Sequence, residues 1–152
     1  TDMDEYKLTI RSESEMIELA QNIESEKFPN MVICLNGELG SGKTVFAKAF
    51  ADAMGISDVS SPTFNIIKEY IGELPLYHMD VYRVSGNIDN LGIEEYYDKG
   101  GVTIIEWADM IKDYLPSDRL DIEIKIVGEE SRLVILRPRG SRYVEVCEDI
   151  IW

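Results

Sequence analysis

Apolar and polar residues alternate over Tyr6–Ile10 (YKLTI), the two-residue period of a strand with one buried face. The period then changes. In SESEMIELAQNIESE, residues Met16, Ile17, Leu19, Ala20 and Ile23 fall on one helical stripe. Ser12 stands where an N-cap belongs, and Glu15, three residues on, is placed for a capping box. Met31–Asn36 (MVICLN) is a short continuous apolar run, the pattern of a strand buried on both faces of a parallel sheet. A glycine-rich turn follows. Val45, Phe46, Ala49, Phe50 and Ala53 then repeat at helical spacing, and Gly55 supplies the stop.

Beyond this helix, Phe64–Tyr70 and Leu76–Asp80 predict two strands around a turn at Gly72. Gly101–Trp107 (GVTIIEW) predicts another buried strand. DNLGIEEYYDKG and ADMIKDYL each predict a short helix. LDIEIKIVGEESRLVILRPRG predicts a C-terminal antiparallel hairpin with GEES as its turn, and YVEVCEDIIW fits either a last helix or a last strand. No segment repeats. Strands alternating with helices predict an α/β fold with a largely parallel central sheet. A chain of 152 residues suits one domain, residues 1–152.

Charge narrows the partners. A formal net charge of −14 argues against a broad nucleic-acid-binding surface, because phosphate contacts need Lys and Arg. It is compatible with a protein partner, or with nucleic acid held mainly by that partner. The two cysteines, Cys34 and Cys147, make no disulfide framework, so a reducing cytoplasm is expected. No apolar run approaches the ~18 residues that span a bilayer, and TDMDEYK lacks the basic and apolar regions of a signal peptide.

The glycine-rich turn carries the chemistry. Gly37, Glu38, Leu39, Gly40, Ser41, Gly42, Lys43 and Thr44 fit G-x-x-x-x-G-K-[ST] at every defined position. The glycines let the backbone turn tightly and present successive N–H groups to phosphate oxygens. The helix that follows adds the positive end of its dipole. In such a loop Lys43 reaches the β- and γ-phosphates and the Thr44 hydroxyl coordinates Mg²⁺. Glu38 is acidic where phosphates approach, so its side chain is expected to point outward. The buried strand before the loop and the amphipathic helix after it sharpen the reading.

Such a site also needs an acid at the end of a hydrophobic strand to hold Mg²⁺, directly or through water. Asp80 ends PLYHMD and Glu106 ends VTIIE. Both could lie at the carboxyl edge of the sheet, where open α/β folds bind ligands. Ser60–Phe64 (SSPTF) fits a switch that senses the γ-phosphate through Thr63, and equally an ordinary turn before a strand. His78, the single histidine, reads as a packed structural residue more readily than as a general base. Arg132, Arg137, Arg139 and Arg142 form a small basic patch that fits an acidic partner surface or tRNA, and better a solvated hairpin face. No His/Cys cluster offers a zinc site, and no N-K-x-D segment reads guanine. A small-molecule or nucleoside kinase is the alternative on the same scaffold. It would commonly bring an arginine-rich lid, and no such segment lies between the helices. A nucleotide-dependent binding module without catalysis is a third reading.

Taken in order, GELGSGKT, SSPTFNIIKEY, LPLYHMDVYR, LGIEEYY and VTIIEWADMI resemble the TsaE family, earlier known as YjeE or YdiB, over about Leu8 to Arg142. The resemblance implies a P-loop NTPase-like three-layer domain. It implies ATP or ADP and Mg²⁺ as ligands, and hydrolysis of ATP that is slow unless partnered. The implied partners are TsaB and TsaD, which transfer a threonylcarbamoyl group onto adenosine 37 of ANN-decoding tRNAs. ATP hydrolysis would reset that pair, and tRNA would be met indirectly, through the complex. By motif, Lys43 and Thr44 become the phosphate and Mg²⁺ residues, Asp80 the second Mg²⁺ acid, and Glu106 the residue needed for hydrolysis through metal or attacking water. Thr63 joins the switch-like loop and Trp107 packs near the site. The family pattern also implies nucleotide contacts around Ser12 and at Arg132. The family often has NSPTF or KSPTY where this chain has SSPTF. No arginine finger in cis is evident beyond Arg83 of DVYR, for which a surface salt bridge is as good a reading.

Overall fold

In the computed structural model, residues 5–56, 66–82 and 91–151 are described. The strands are β1 (Tyr6–Ile10), β2 (Val32–Gly37), β3 (Ile67–Ile71), β4 (Pro75–Asp80), β5 (Val102–Glu106), β6 (Arg119–Ile126) and β7 (Arg132–Arg139). The helices are α1 (Glu13–Glu24), α2 (Lys43–Ala53) and α3 (Ser141–Ile150), with 3-10 helices at Ile93–Asp98 and Ala108–Tyr114. All seven strands join one sheet in the order β1-β7-β6-β2-β5-β4-β3. Its four central strands are parallel: β2 pairs with β5 and β6, and β4 pairs with β5. Antiparallel pairs β1–β7, β6–β7 and β3–β4 close the two sides. The C-terminal hairpin is thus part of the sheet, because β6 also lies parallel to β2.

Alternation along the strands splits the core in two. Ile33 and Leu35 of β2, Val102 and Ile104 of β5 and Leu120, Ile122 and Ile124 of β6 meet the apolar stripes of all three α-helices. Val32, Cys34, Tyr77, Met79 and Ile105 face the other way and are covered by the 3-10 helices through Ile93, Tyr97, Ala108 and Ile111. Three layers result, the third built from 3-10 turns where the sequence predicts short helices. On the helical side Phe46 and Phe50, one turn apart on α2, are fully buried and stack with centroids 6.3 Å apart.

The last segment is a helix. Tyr143, Val146, Cys147 and Ile150 fall three and four residues apart and are its buried face. The backbone N–H of Val32 donates to the Tyr143 hydroxyl at 2.9 Å, which ties α3 to the start of β2. Both cysteines are buried and free, and burial pushes the Cys147 thiol up to about 12. Both are core residues, Cys34 within the apolar run of β2 and Cys147 on the buried face of α3.

The capping box at α1 is formed with one change. Glu15 N–H donates to Ser12 Oγ at 3.2 Å, but the Glu15 carboxylate reaches back to the N–H of Arg11, one residue before the cap. The switch-loop reading of Thr63 and the finger reading of Arg83 concern residues outside those described. No described helix is long and apolar enough to cross a membrane.

Candidate phosphate-loop site

The loop between β2 and α2 is held by contacts that admit little change. A Cβ on Gly37 would lie 2.6 Å from both the Ile124 carbonyl oxygen and Ser41 Oγ. Gly42, the N-cap of α2, has φ 114°, a left-handed conformation in which a side chain is strained. With no cap side chain there, the first N–H groups of α2 remain available to a ligand. Glu38 and Leu39 are exposed, so the acidic side chain does point outward.

Lys43 is 5% exposed, and its ammonium folds back over the loop. Nζ donates to the Gly37 carbonyl at 2.6 Å and the Glu38 carbonyl at 3.1 Å, and lies 4.1 Å from the centroid of the Trp107 ring. Burial pushes the Lys43 pKa down, and the nearby Glu106 and Asp80 charges oppose that shift. Trp107 sits at φ 63°, in the left-handed region that bulky residues rarely enter. That turn, directly after Glu106, leaves its ring over Lys43 and 4.5 Å from Tyr82. Strain of this kind, of order 1–3 kcal/mol, persists where the surroundings impose it, commonly at functional sites.

The two acids meet at one edge. In the β4–β5 ladder Asp80 is the direct partner of Glu106, and in the β2–β5 ladder Leu35 is. All three strands therefore end together beside the loop that begins at Gly37. Glu106 is 2% exposed. Its Oε1 accepts from Thr44 Oγ1 at 3.2 Å, and its Oε2 is 2.6 Å from His78 Nε2. Asp80 is half-buried and accepts the Tyr82 N–H at 3.0 Å, which leaves carboxylate lone pairs for another partner. Thr44, Asp80 and Glu106 offer hard oxygen donors of the kind Mg²⁺ takes. Among the described residues no cluster of three or more His, Cys, Asp or Glu side chains could hold a metal ion. A Mg²⁺ bound through a hydroxyl, one or two carboxylates, water and nucleotide phosphates requires none, so the residues present fit that ion.

A cleft of about 300 Å³ opens on the other side of the loop, between the start of α1 and the β6–β7 turn. Ser12, Met16, Gly40, Gly42, Val45 and Arg132 line it, with Glu129 and Glu130 at its edge. Ser12 and Arg132, far apart in sequence, are thus brought to one cleft beside the phosphate loop. Arg132, however, already spends its donors on backbone. Nε donates to the Ser41 carbonyl at 2.9 Å and Nη2 to the Gly40 carbonyl at 3.1 Å, while Nη1 takes the carbonyls of Gly128, Glu129 and Ser131. It staples the loop to the hairpin turn. Replacing Arg132 by alanine should therefore lower stability by on the order of 1–2 kcal/mol, since the freed carbonyls are only partly out of water. Amide hydrogen exchange over residues 38–44 should rise with it; unchanged exchange would mean that the loop holds its shape unaided.

Two of the remaining arginines of the basic patch are paired with acids, and the third lies on an aromatic ring. Arg137 pairs with Glu5 and Glu123, Arg139 with Asp121, and the Arg142 guanidinium lies over the Phe28 ring. The reading as a hairpin face fits Arg132, Arg137 and Arg139 on β7, with salt bridges across it, but Arg142 lies on α3.

Sequence reasoning missed the partner of His78. The signal was available: His78 and Asp80 stand two apart on β4 and so share the face that carries Glu106. Only the β4–β5 register shows that the imidazole reaches that carboxylate.

A mixed sheet with a parallel centre, a glycine loop between β2 and α2, and two acids at the adjacent strand ends define a P-loop NTPase-like protein. The family model described as "Threonylcarbamoyl adenosine biosynthesis protein TsaE" matches residues 10–134. The chain belongs to the TsaE family. It is 48% identical over 124 residues to the TsaE protein of Bacillus subtilis (strain 168), covering 80% of this chain and 78% of that one. It is 34% identical over 129 residues to the TsaE protein of Rickettsia bellii, covering 82% and 89%. Both relatives carry the name tRNA threonylcarbamoyladenosine biosynthesis protein. The crystal structure of Bacillus subtilis YdiB superposes with a TM-score of 0.85 at 39% identity, covering 97% of this chain and 94% of that chain.

Proposed function

We propose that this chain is a Mg²⁺-dependent ATPase that acts with TsaB and TsaD in the threonylcarbamoyl modification of adenosine 37 in ANN-decoding tRNAs. One observation carries the catalytic part: the Thr44 hydroxyl, inside the phosphate loop, is hydrogen-bonded to Glu106 at the end of a separate strand. A glycine-rich turn with a purely structural role has no need of a buried acid drawn onto its threonine. Family membership supports the pathway.

In this reading the N–H groups of residues 38–44 and the Lys43 ammonium receive the β- and γ-phosphates. Lys43 leaves the Gly37 and Glu38 carbonyls to do so. Thr44 and Asp80 hold Mg²⁺, which neutralises charge on the phosphate oxygens when bound. Glu106 orients the attacking water or joins the metal shell. The cleft bounded by Ser12 and Arg132 takes the nucleoside end. Arg132 donates from all three guanidinium nitrogens to backbone carbonyls, which suits a role in shaping the loop. With a net charge of −14, docking on protein suits the chain better than gripping tRNA.

The test is product analysis. Purified chain with ATP and Mg²⁺ should release ADP and inorganic phosphate in equal amounts, and chelation of Mg²⁺ should stop it. Phosphate recovered on a nucleoside in place of water would refute hydrolysis and favour a kinase.

A further inference from the structure

Behind the loop lies the chain's one histidine, buried on β4. His78 is 1% exposed, and its ring faces the strand that ends in Glu106. We infer that His78 is a positioning residue that fixes the Glu106 carboxylate for its work on the attacking water, an inference that rests on the ATPase reading.

Geometry comes first. The outer torsion of a glutamate is broad, so one hydrogen bond leaves its carboxylate plane free to swing. Glu106 is held at both oxygens. Thr44 Oγ1 donates to Oε1 at 3.2 Å, and the imidazole faces Oε2 at 2.6 Å. The second bond is the shorter one and comes from a rigid ring on a central strand. A carboxylate can only accept, so Nε2 is the nitrogen that carries the proton. His78 stands opposite Ile104 and Asp80 opposite Glu106, so the ring reaches diagonally along the β4–β5 pair. The Thr44 contact will be disturbed when that hydroxyl turns to a ligand; the His78 contact lies behind the acid and need not be. It therefore holds the plane of Glu106 while the front of the site changes.

The other ring nitrogen supports the same conclusion. His78 Nδ1 is buried and has no hydrogen-bond partner among the described residues. Among the described residues the ring's one hydrogen bond is thus to Glu106, and a side chain unable to donate would leave the buried Oε2 unmet.

Two measurements test it. The first is kinetic. His78→Leu should lower kcat for ATP hydrolysis roughly 10–100-fold, the range for outer partners of a catalytic group. The affinity for a non-hydrolysable ATP analogue, by calorimetry, should stay within about threefold, and His78→Gln, which keeps a donor, should recover part of kcat. The second is spectroscopic and independent of activity. His78 is the single histidine, so the chain labelled with ¹⁵N-histidine gives one imidazole pattern. It should show a slowly exchanging, far-downfield Nε2 proton that Glu106→Ala abolishes. Wild-type kcat in His78→Leu, or a change confined to KM, would overturn the inference. So would an Nε2 proton indifferent to Glu106. If the wild-type chain hydrolyses no ATP, the ATPase reading fails and the positioning role falls with it, while the proton signal still reports whether the two side chains are bonded. If His78→Leu does not fold, His78→Gln and the proton signal decide.

Discussion

Replacing Glu106 by alanine is expected to reduce ATP hydrolysis by about 10²-fold or more, in the range set for a positioned acid or base. Nucleotide affinity should change little, because in the proposed ATPase the phosphate grip would come from the loop N–H groups and Lys43. Stability should also drop. Glu106 is the acceptor for both His78 and Thr44, and its loss leaves the buried His78 Nε2 without a partner. An unmet buried donor costs about 1–3 kcal/mol. Glu106→Gln separates the two effects. Its amide oxygen can still accept one of these bonds at nearly unchanged volume, so its melting temperature should lie closer to wild type than that of the alanine variant. Its charge is gone, so its hydrolysis should be as low. A glutamine variant with wild-type kcat would show that the Glu106 charge plays no part in the reaction.

Lys43→Ala should be as inactive, for a different reason. It removes the one ammonium buried in the loop, and losing a preorganised donor to developing charge costs on the order of 10²–10³ in rate. Here nucleotide binding should weaken too, which Glu106→Ala does not require. The structure also sets the sign of the stability change. Burial lowers the Lys43 pKa, so its charged form is less favourable in the folded chain than in the unfolded one. That penalty is present below the folded pKa and relieved as pH rises through it. Removing the side chain at neutral pH should therefore leave the melting temperature unchanged or slightly higher, with the lost bonds to Gly37 and Glu38 as the opposing effect. A variant that melts far below wild type would place Lys43 among the residues that hold the fold, and its inactivity would then carry no information about phosphate.

How much of this was legible before the fold was known follows from what each residue depends on. The phosphate loop is local: its glycines, Lys43 and Thr44 act through a single turn, so spacing alone marked them. Asp80 and Glu106 were legible as strand ends, because each closes an apolar run. That they are direct partners was not, since the pairing of β4 with β5 spans some twenty residues and depends on sheet order. The same gap hid the bond between His78 and Glu106, which are 28 positions apart. Arg132 was placed near the site by family pattern, but its role as a staple depends on carbonyls of Gly40 and Ser41, and backbone acceptors leave no mark in a sequence. The final segment stayed open because YVEVCEDIIW shows both periods. Only the face offered by β7 and α1 decides for a helix, with Tyr143, Val146, Cys147 and Ile150 turned inward.

In the proposed ATPase, the conformation of Lys43 would bear on gating by a partner. Its ammonium is held by the loop's own carbonyls and by Trp107, and Trp107 in turn packs at a tilt against the half-exposed Tyr82. Leu39 and Met110 beside them are exposed as well, at 85% and 54%. A protein that bears on this rim touches residues one contact away from the phosphate lysine.

The most direct measurement is the rate of ATP hydrolysis by this chain alone and with the matched TsaB and TsaD proteins. A partner-gated ATPase gives a slow basal rate and clear stimulation by the pair, abolished in Lys43→Ala and Glu106→Ala. A rate that the matched pair leaves unchanged would contradict it.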